Sequence, residues 1–567
     1  AYTKTYAMAA AAALSITLIP VLMGYFIRGN VLPEDKNPLN RALIAGYVPV
    51  LKKTLRFPRT VLFLAATVLA TTAWPLVNIG SEFIPPLDEG DLMYMPTTYP
   101  GISIGEARRI LQHTDKLIAT VPEVESVFGK IGRADTATDP APLTMIETFI
   151  QLKPREQWRE GMSTEDLKHE LDALIQLPGV TNAWVMPIKT RIDMLATGIK
   201  TPVGIKIAGP ELRVIQEIGQ QLETLLKDVP GTASVYSERV AGGRYIKVDI
   251  DRERAARFGL NIADVQQVVA TAVGGMNVSQ TVEGLERYPI NIRYPQSYRD
   301  SPEQLSQLPV ITAAGQRISL GDVAQIKIED GPPGIKSENA RINGWVFVDI
   351  DGVDIGTYVS EARKTVKEQL DLPTGYSIVW SGQYEYMERA KEKLVYLVPV
   401  ILAIIALLLY INFRIVAEVA ILMGTLPFAL VGSVWLIYWE GFNFSIAVGV
   451  GFIALAGVAI ETSVIMMVYL NQAYDKLLIE SPEPSRSELA NVVIDGAGLR
   501  VRPVMMTAAA TIVGLLPILY GAGTGSEVMS RIAAPMVGGM VSAVVLTLLV
   551  LPVFFFLWRG RGKLPES

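Results

Sequence analysis

Apolar positions along this chain fall into two patterns. Unbroken runs occupy Tyr6–Ile27, Val61–Ile79, Leu394–Asn412, Val416–Tyr438, Phe444–Leu470 and Glu527–Trp558. Each is long enough to cross a bilayer as a helix. Val504–Gly521 is shorter, but Pro503 just before it suits the first turn of a helix. Together these segments predict a polytopic α-helical membrane protein with about seven transmembrane helices. Between residues 80 and 390 the runs give way to short alternating segments and amphipathic stretches, the pattern of a folded α+β region rather than an irregular loop.

In that region Asp91–Tyr99 reads as a strand and Ser103–Val121 as an amphipathic helix. Strands at Val124–Lys130 and Ile146–Leu152, a helix at Ser163–Ile175 and a strand at Thr181–Met186 follow. The order is βαββαβ, a split unit of ferredoxin-like type over about 88–187. A second unit is expected over about 202–272, from strand Pro202–Ala208, helix Leu212–Leu226, strands Ala233–Ser237 and Tyr245–Ile250, and helical Arg252–Phe258 and Asn261–Thr271. Residues 277–340 are rich in Gly, Pro and short β segments, and Trp345–Asp351, Gly356–Leu370 and Ser377–Ser381 give a closing β-α-β over about 341–385. Each unit offers one apolar sheet face, and two side by side bury a sizeable core.

Composition supports the membrane reading. Half the residues are hydrophobic, mean hydropathy is +0.32 and 19% are charged. A net charge of −5 on 567 residues argues against nucleic acid as a partner. With no cysteine and two histidines, a disulfide scaffold and a Cys- or His-rich metal cluster are excluded. Lys and Arg distribution sets the orientation. Arg28, Lys36, Arg41, Lys52, Lys53, Arg56 and Arg59 follow the first run, Lys476, Arg486, Arg500 and Arg502 lie between later runs, and Arg559, Arg561 and Lys563 end the chain. With alternating helices these fall on one side, together with the turn Asn412–Arg414, and that side is cytoplasmic. The division is then a helix over 1–28, a cytoplasmic amphipathic connection 29–59, a helix over 60–79, an outer region 80–390, five helices over 391–558 and a cytoplasmic tail 559–567. The cysteine-free outer region fits a bacterial periplasm. The chain opens inside a hydrophobic run with neither an initiator Met nor a signal peptide, which sets the expectation of the C-terminal portion of a longer protein.

Glu461 stands near the middle of Phe444–Leu470. An acid there costs a few kcal/mol on insertion scales, and such residues face a polar cavity or take part in ion or proton movement. The bland alternative is a protonated acid hydrogen-bonded to a neighbouring helix. Other motifs carry less. Gly101-Ile-Ser103-Ile-Gly105 fits the hydrolase G-x-S-x-G pattern, but Ser103 and Glu106 also make a helix capping box. His113 and His169 sit in charged helical contexts and read as solvated surface residues. Methionine is ordinarily core filler. Met145, with Glu147 on its strand face, and Met194, bracketed by Arg191, Asp193 and Lys200 in the loop Arg191–Gly198, look less like core, and Met93 and Met95 share a strand face. Thioethers favour soft ions such as Cu(I) and Ag(I), whereas Zn(II) prefers His, Cys or carboxylate.

The stretches YTKTYAMAAA (2–11), EGDLMYMPTTYPGIS (89–103), TATDPAPLTMIETFIQLKP (136–154), RIDMLATGIKTPVGIKI (191–207), TVEGLERYPINIRYPQSYRDSP (281–302), GFIALAGVAIE (451–461), LRVRP (499–503) and GSEVMSRIAAPM (525–536) together resemble one family. It is the copper/silver type within the heavy-metal efflux branch of the resistance-nodulation-division transporters, matched along essentially the whole chain and over the C-terminal half of such a pump. The resemblance implies a proton/metal antiporter, not an enzyme, in a bacterial inner membrane. It implies no cofactor, with Cu(I) or Ag(I) as cargo. The partners implied are a homotrimer, a periplasmic adaptor (membrane fusion protein), an outer-membrane channel and membrane lipid. Residues 80–390 become its porter and docking region, with the docking part at about 277–340. By position, the periplasmic metal site falls on Met95, Met145 and Met194, and nearby charged residues on Asp139, Glu147, Arg191 and Lys200. Met8 and Met529 match methionines of the membrane relay, and Glu461 the proton-relay acid.

Two positions depart from the family pattern. Val504 stands where a relay lysine is expected, and Asn277, beside Met276, where another methionine is. The implied mechanism has the ion held by neutral thioethers while Glu461, its neutral form favoured by burial, gains a proton outside and loses it inward. Its charge change biases helix packing, with Gly449, Gly451, Gly457 and Ala459 permitting close approach. Rival readings are a multidrug or divalent-metal (Zn/Co/Cd) exporter of the same superfamily, a proton-driven protein-export helper, and a membrane-anchored hydrolase resting on Ser103.

Overall fold

The computed structural model describes residues 2–27, 38–85, 87–98, 100–132, 134–135, 140–482, 484–521 and 523–560. Asp139, Arg28, Lys36, Arg561 and Lys563 lie outside the described residues.

Among the described residues, seven helices are long and apolar enough to cross a membrane: α1 Thr5–Phe26, α2 Pro58–Asn78, α3 Gln383–Phe413, α4 Val416–Trp439, α5 Ile446–Glu480, α6 Arg486–Leu519 and α7 Ser526–Arg559. Arg414, at φ 58, makes the tight stop between α3 and α4. The bundle core gathers Leu422 and Leu426 of α4, Met466, Met467 and Leu470 of α5, and Leu551 and Phe555 of α7. Helices α4 and α7 touch backbone to backbone at Gly432 and Gly538, where a Cβ on either would collide with the other's carbonyl oxygen. Ser433 Oγ donates to Pro535 O at 2.6 Å and Ser542 Oγ to Ala429 O at 2.7 Å, closing the same seam. The helix Pro38–Arg56 buries Tyr47, Leu51 and Leu55 at helical spacing and leaves Lys52, Lys53 and Arg56 exposed. The Tyr47 hydroxyl donates to Leu548 O at 2.6 Å, inside the irregular π turn Leu546–Val550 of α7.

Among the described residues, 80–390 hold two larger antiparallel sheets and several two-stranded ones. Strands β1 Asp91–Tyr94, β2 Val124–Lys130, β3 Glu147–Leu152 and β4 Trp184–Val185 pair in the order β2-β3-β1-β4. Helices Ile104–Ile118 and Thr164–Leu174 connect them. The first begins at Ser103, whose side chain accepts from Glu106 N, which confirms the cap. The Glu106 carboxylate pairs with Arg109 instead of closing the box. Ala107, Leu111, Thr114 and Ile118 form the buried stripe of the first helix, and Leu167 and Leu171 that of the second.

The second sheet departs from the sequence expectation. It contains β5 Val203–Ala208 and β6 Thr232–Ser237, but Gly243–Ile250, here β7, does not join it. β7 pairs along its whole length, from Gly243↔Gly331 to Ile250↔Ala324, with a distant strand. Between them lies the hairpin β8 Met276–Glu283 with β9 Glu286–Ile292, and the partner of β7 is β10 Ala324–Gly331. The sheet is completed by β11 Arg341–Ile350 and β12 Ser377–Gly382, in the order β6-β11-β5-β12, with Lys336–Glu338 added beside β11. The second unit is therefore split, 203–237 with 341–382, around an insertion, and the segment expected as a separate closing β-α-β supplies its centre and edge. The cause is burial. Val346 and Val348 of β11 sit opposite Ile205 and Val203 in the core, whereas Tyr245 and Ile246 of β7 are exposed.

Candidate metal site and intramembrane acid

The stretch predicted as one strand to Tyr99 is β1 to Tyr94 and, past Pro96, a further pair Thr97–Thr98, both set against residues 180–185 in one register from Met93↔Val185 to Thr98↔Val180. Pro96 supplies no N–H and interrupts the ladder between them. Met95 N donates to Ala183 O at 2.9 Å in that register, and Met95 is 1% exposed while Met93 is half-buried. Thr97 forms an isolated antiparallel bridge with Met145, which lays the second methionine beside the residues just after Met95.

Met194 sits in a helix, Pro187–Thr197, and not in the expected loop. Pro187 starts it, and the Glu89 carboxylate accepts from Ile188 N and Lys189 N, both at 2.7 Å, capping the free N–H groups from about a hundred residues away. Gly198, at φ 80, ends it. The helix packs on β1 of the first sheet and on β12 of the second, so it occupies the seam between them.

The charged residues tie these segments together. Arg191, one turn before Met194, reaches Glu147, two residues after Met145, with Nη2 at 3.8 Å from Oε2. Lys130 Nζ holds the same carboxylate oxygen at 2.7 Å, and Glu147 is buried. Lys200 Nζ donates to Met95 O at 2.9 Å and Thr97 Oγ1 at 2.6 Å, and lies 5.6 Å from the Phe347 ring centroid of the second sheet. Thus Met95 and Met145 are half of a cross-linked arrangement whose other half is the Met194 helix and Lys200. Asp139 lies outside the described residues. Sequence reading missed Glu89 and Thr97. Neither carries a local signal, because their partners are distant in sequence.

Burial of its ammonium lowers the Lys200 pKa from the ordinary lysine range to about 8; Lys336 pushes it the same way, and Glu238, Asp349 and Glu147 oppose. The sign follows. Below about 8 both folded and unfolded chains hold the proton, and the buried charge costs stability. From there up to the ordinary lysine value only the unfolded chain keeps it, so stability rises with pH across that window. Lys200→Met is expected to flatten this rise in denaturation midpoints taken from pH 7 to 10; an unchanged slope would assign it to other groups.

In the membrane part, Glu461 lies on an open face of α5 with Val450, Ile453 and Gly457. Among the described residues its carboxylate has no hydrogen-bond or ion-pair partner. Of the four small residues expected to permit close packing, Gly451 faces α7, where a Cβ would come 2.5 Å from Ile532 O, and Ala459 packs with Ala429 and Ala543. Gly449 and Gly457 have no neighbour within 4 Å of a Cβ. Met8 and Met529 are exposed, at 64% and 48%, on α1 and the first turn of α7. Val504 is buried in the bundle core, and Asn277 lies on the exposed hairpin, where Asn291 Nδ2 donates to its Oδ1 at 2.9 Å. His113 and His169 are exposed, His169 at 3.7 Å from Asp351. Among the described residues no three His, Cys, Asp or Glu side chains gather as a metal cluster.

The chain matches the AcrB/AcrD/AcrF family over residues 1–559. It is 53% identical over 566 residues to the cation efflux system protein CusA of Escherichia coli strain K12, covering 99% of this chain and 54% of that protein. The putative cation efflux system protein SilA of Salmonella typhimurium is 52% identical over 570 residues, with coverages of 99% and 54%. Identity is 34% over 580 residues to the cobalt-zinc-cadmium resistance protein CzcA of Cupriavidus metallidurans, covering 100% of this chain and 53% of that one. A crystal structure of a heavy metal efflux pump superposes with a TM-score of 0.81 at 30% identity, covering 93% of this chain and 53% of the other. The chain spans about half the length of the curated relatives it matches.

Proposed function

The chain belongs to the AcrB/AcrD/AcrF family of resistance-nodulation-division transporters, and from that premise we propose that it is the C-terminal half of a proton-driven pump exporting Cu(I) or Ag(I). The observation that carries the substrate is the cross-linked arrangement of the three methionine segments through Lys200 and the Arg191–Glu147 pair. Thioethers are neutral soft donors and hold a soft monovalent ion without trapping it as thiolates do. Higher identity to CusA and SilA than to CzcA supports copper or silver over zinc, cobalt and cadmium.

In this reading Cu(I) or Ag(I) enters the seam between the two sheets and is bound by Met95, Met145 and Met194. Lys200 and Arg191 hold the methionine segments in place and keep a positive potential beside the bound cation, which favours its release. Each four-stranded arrangement is a ferredoxin-like unit. The shared order, second-third-first-fourth strand with a helix after the first and third, supports this. The unit boundaries are then about 88–187 and 203–237 with 341–382, and the insertion between them is the docking part. Glu461 is the proton carrier. Its open helix face is the surface that the rest of a full-length pump covers, and protonation there changes how α5 packs. Met8 and Met529 pass the ion along the membrane part. The pump works in a bacterial inner membrane as a trimer, with an adaptor and an outer-membrane channel.

The test is silver resistance. This chain, joined to the N-terminal half of CusA in cells lacking their own exporter, is expected to protect against Ag(I) and Cu(I). Glu461→Gln is expected to abolish protection, with membrane levels unchanged. Protection against organic compounds or Zn(II) without Ag(I) would replace the soft-metal reading with a multidrug or divalent-metal one.

A further inference from the structure

Between the end of α2 and the first sheet runs a short extended strap, Ile79–Phe83, which is bonded on both edges. On one edge Phe444 N donates to Gly80 O at 2.8 Å, Glu82 N to Phe444 O at 3.0 Å, and Ile446 N to Phe83 O at 3.3 Å. Ile446 is the first residue of α5, the helix that carries Glu461. On the other edge Ser81 N donates to Asp354 Oδ1 at 2.7 Å and Gly356 N donates to Ser81 O at 3.2 Å. Asp354 is the N-cap of Ile355–Gln369, a helix of the second sheet's unit, and the same oxygen accepts from Thr357 N at 3.1 Å.

Side chains reinforce the strap. The buried Glu82 carboxylate accepts from Asn443 Nδ2 at 3.1 Å and lies 3.9 Å from Arg531 Nε of α7, whose guanidinium stacks over Phe442 at 4.2 Å. Phe83 stacks on Tyr386 in the first turn of α3, with centroids 5.0 Å apart. The contact is closely fitted. A Cβ at Gly80 would come 2.6 Å from Asn443 Oδ1 and 2.7 Å from Asp354 Cγ. One at Gly356 would collide with Ser81 Oγ.

From this geometry we infer that the strap is a mechanical tie between the Glu461 helix and the second outer unit, with Asp354 and Glu82 as its positioning residues. A hydrogen-bonded helix moves as a stiff element, and Glu461 lies 15 residues along α5 from Ile446, about 22 Å. A shift of α5 at the acid therefore moves its first turn, and the two-edged bonding passes that movement to Ile355–Gln369. The inference rests on the proposed role of Glu461 only for what drives the tie, not for the tie itself.

Hydrogen–deuterium exchange on the full 567-residue chain in lipid nanodiscs tests it. Asp354→Ala and, separately, Gly80→Ala are expected to speed exchange across Phe444–Gly449 by about fivefold or more, as loss of one net hydrogen bond implies. Val366→Ala, buried in the same helix away from the strap, is the control: it loosens its own unit and leaves Phe444–Gly449 unchanged. If both strap variants leave Phe444–Gly449 at the original rate, or the control moves it equally, the tie is overturned. Glu461→Gln is measured alongside. A change in the strap that Asp354→Ala abolishes supports transmission from the acid. No change in the strap, with the Asp354→Ala effect intact, keeps the tie and removes Glu461 as its driver.

Discussion

Replacing Met95, Met145 and Met194 together by isoleucine is expected to weaken Ag(I) binding by at least about 100-fold, since loss of mere supporting contacts at metal sites already costs 10- to 100-fold. The measurement is a titration of the full chain in nanodiscs with Ag(I), Cu(I) and Zn(II), against the unsubstituted chain. Isoleucine keeps apolar volume, so the loss would report ligation and not packing. Met95 is buried and the other two half-buried. Single replacements of Met145 and Met194 are therefore the cleaner tests, each expected to give a smaller loss with an unchanged denaturation midpoint. If the triple variant binds Ag(I) as before, the methionines are packing and the substrate assignment falls.

Gly198→Ala carries the second large effect. At φ 80 an alanine meets the steric cost of the left-handed region, about 1–2 kcal/mol. Its Cβ would also press on the Trp345 ring, with Cζ3 at 2.9 Å, adding an overpacking cost of about 1–3 kcal/mol. A loss of about 2–5 kcal/mol is expected in denaturant unfolding followed by tryptophan fluorescence. Gly198 separates Met194 from Lys200 by few residues, so soft-metal affinity is expected to fall with it. A stability within about 0.5 kcal/mol of the original, the range of ordinary surface changes, would mean that the seam yields and that its geometry does not position the methionines.

Much of this was legible in the residues. The seven segments long and apolar enough to cross a membrane follow from apolar runs, and the Ser103 helix start from its capping side chain. Met95, Met145 and Met194 were identified as one site only through resemblance. Charged neighbours made Met145 and Met194 look less like core, but no local pattern brought the three together. Met194 was misread as a loop residue because its helix is short and is capped by Glu89, a residue that no local pattern connects to it. β7 was placed in the wrong sheet because its alternation is as regular as that of β11. Glu461 was legible as an acid inside an apolar helix, and the structure adds that it shares an open face of α5 with Val450, Ile453 and Gly457.

The sequence by itself determined the local matters: which stretches are long and apolar enough to cross a bilayer, where helices begin, and that one acid lies within an apolar helix. These depend on residues a few positions apart, and hydrophobic period and capping chemistry report them directly. Tertiary structure alone decided which strands share a sheet, that the second unit is split by an insertion, that Lys200 and Arg191 cross-link the methionine segments, and that Ile79–Phe83 joins α5 to the outer region. The reason is degeneracy. An alternating pattern fixes which face of a strand is buried but not which strand lies beside it, and that choice is made by contacts between residues far apart in the chain.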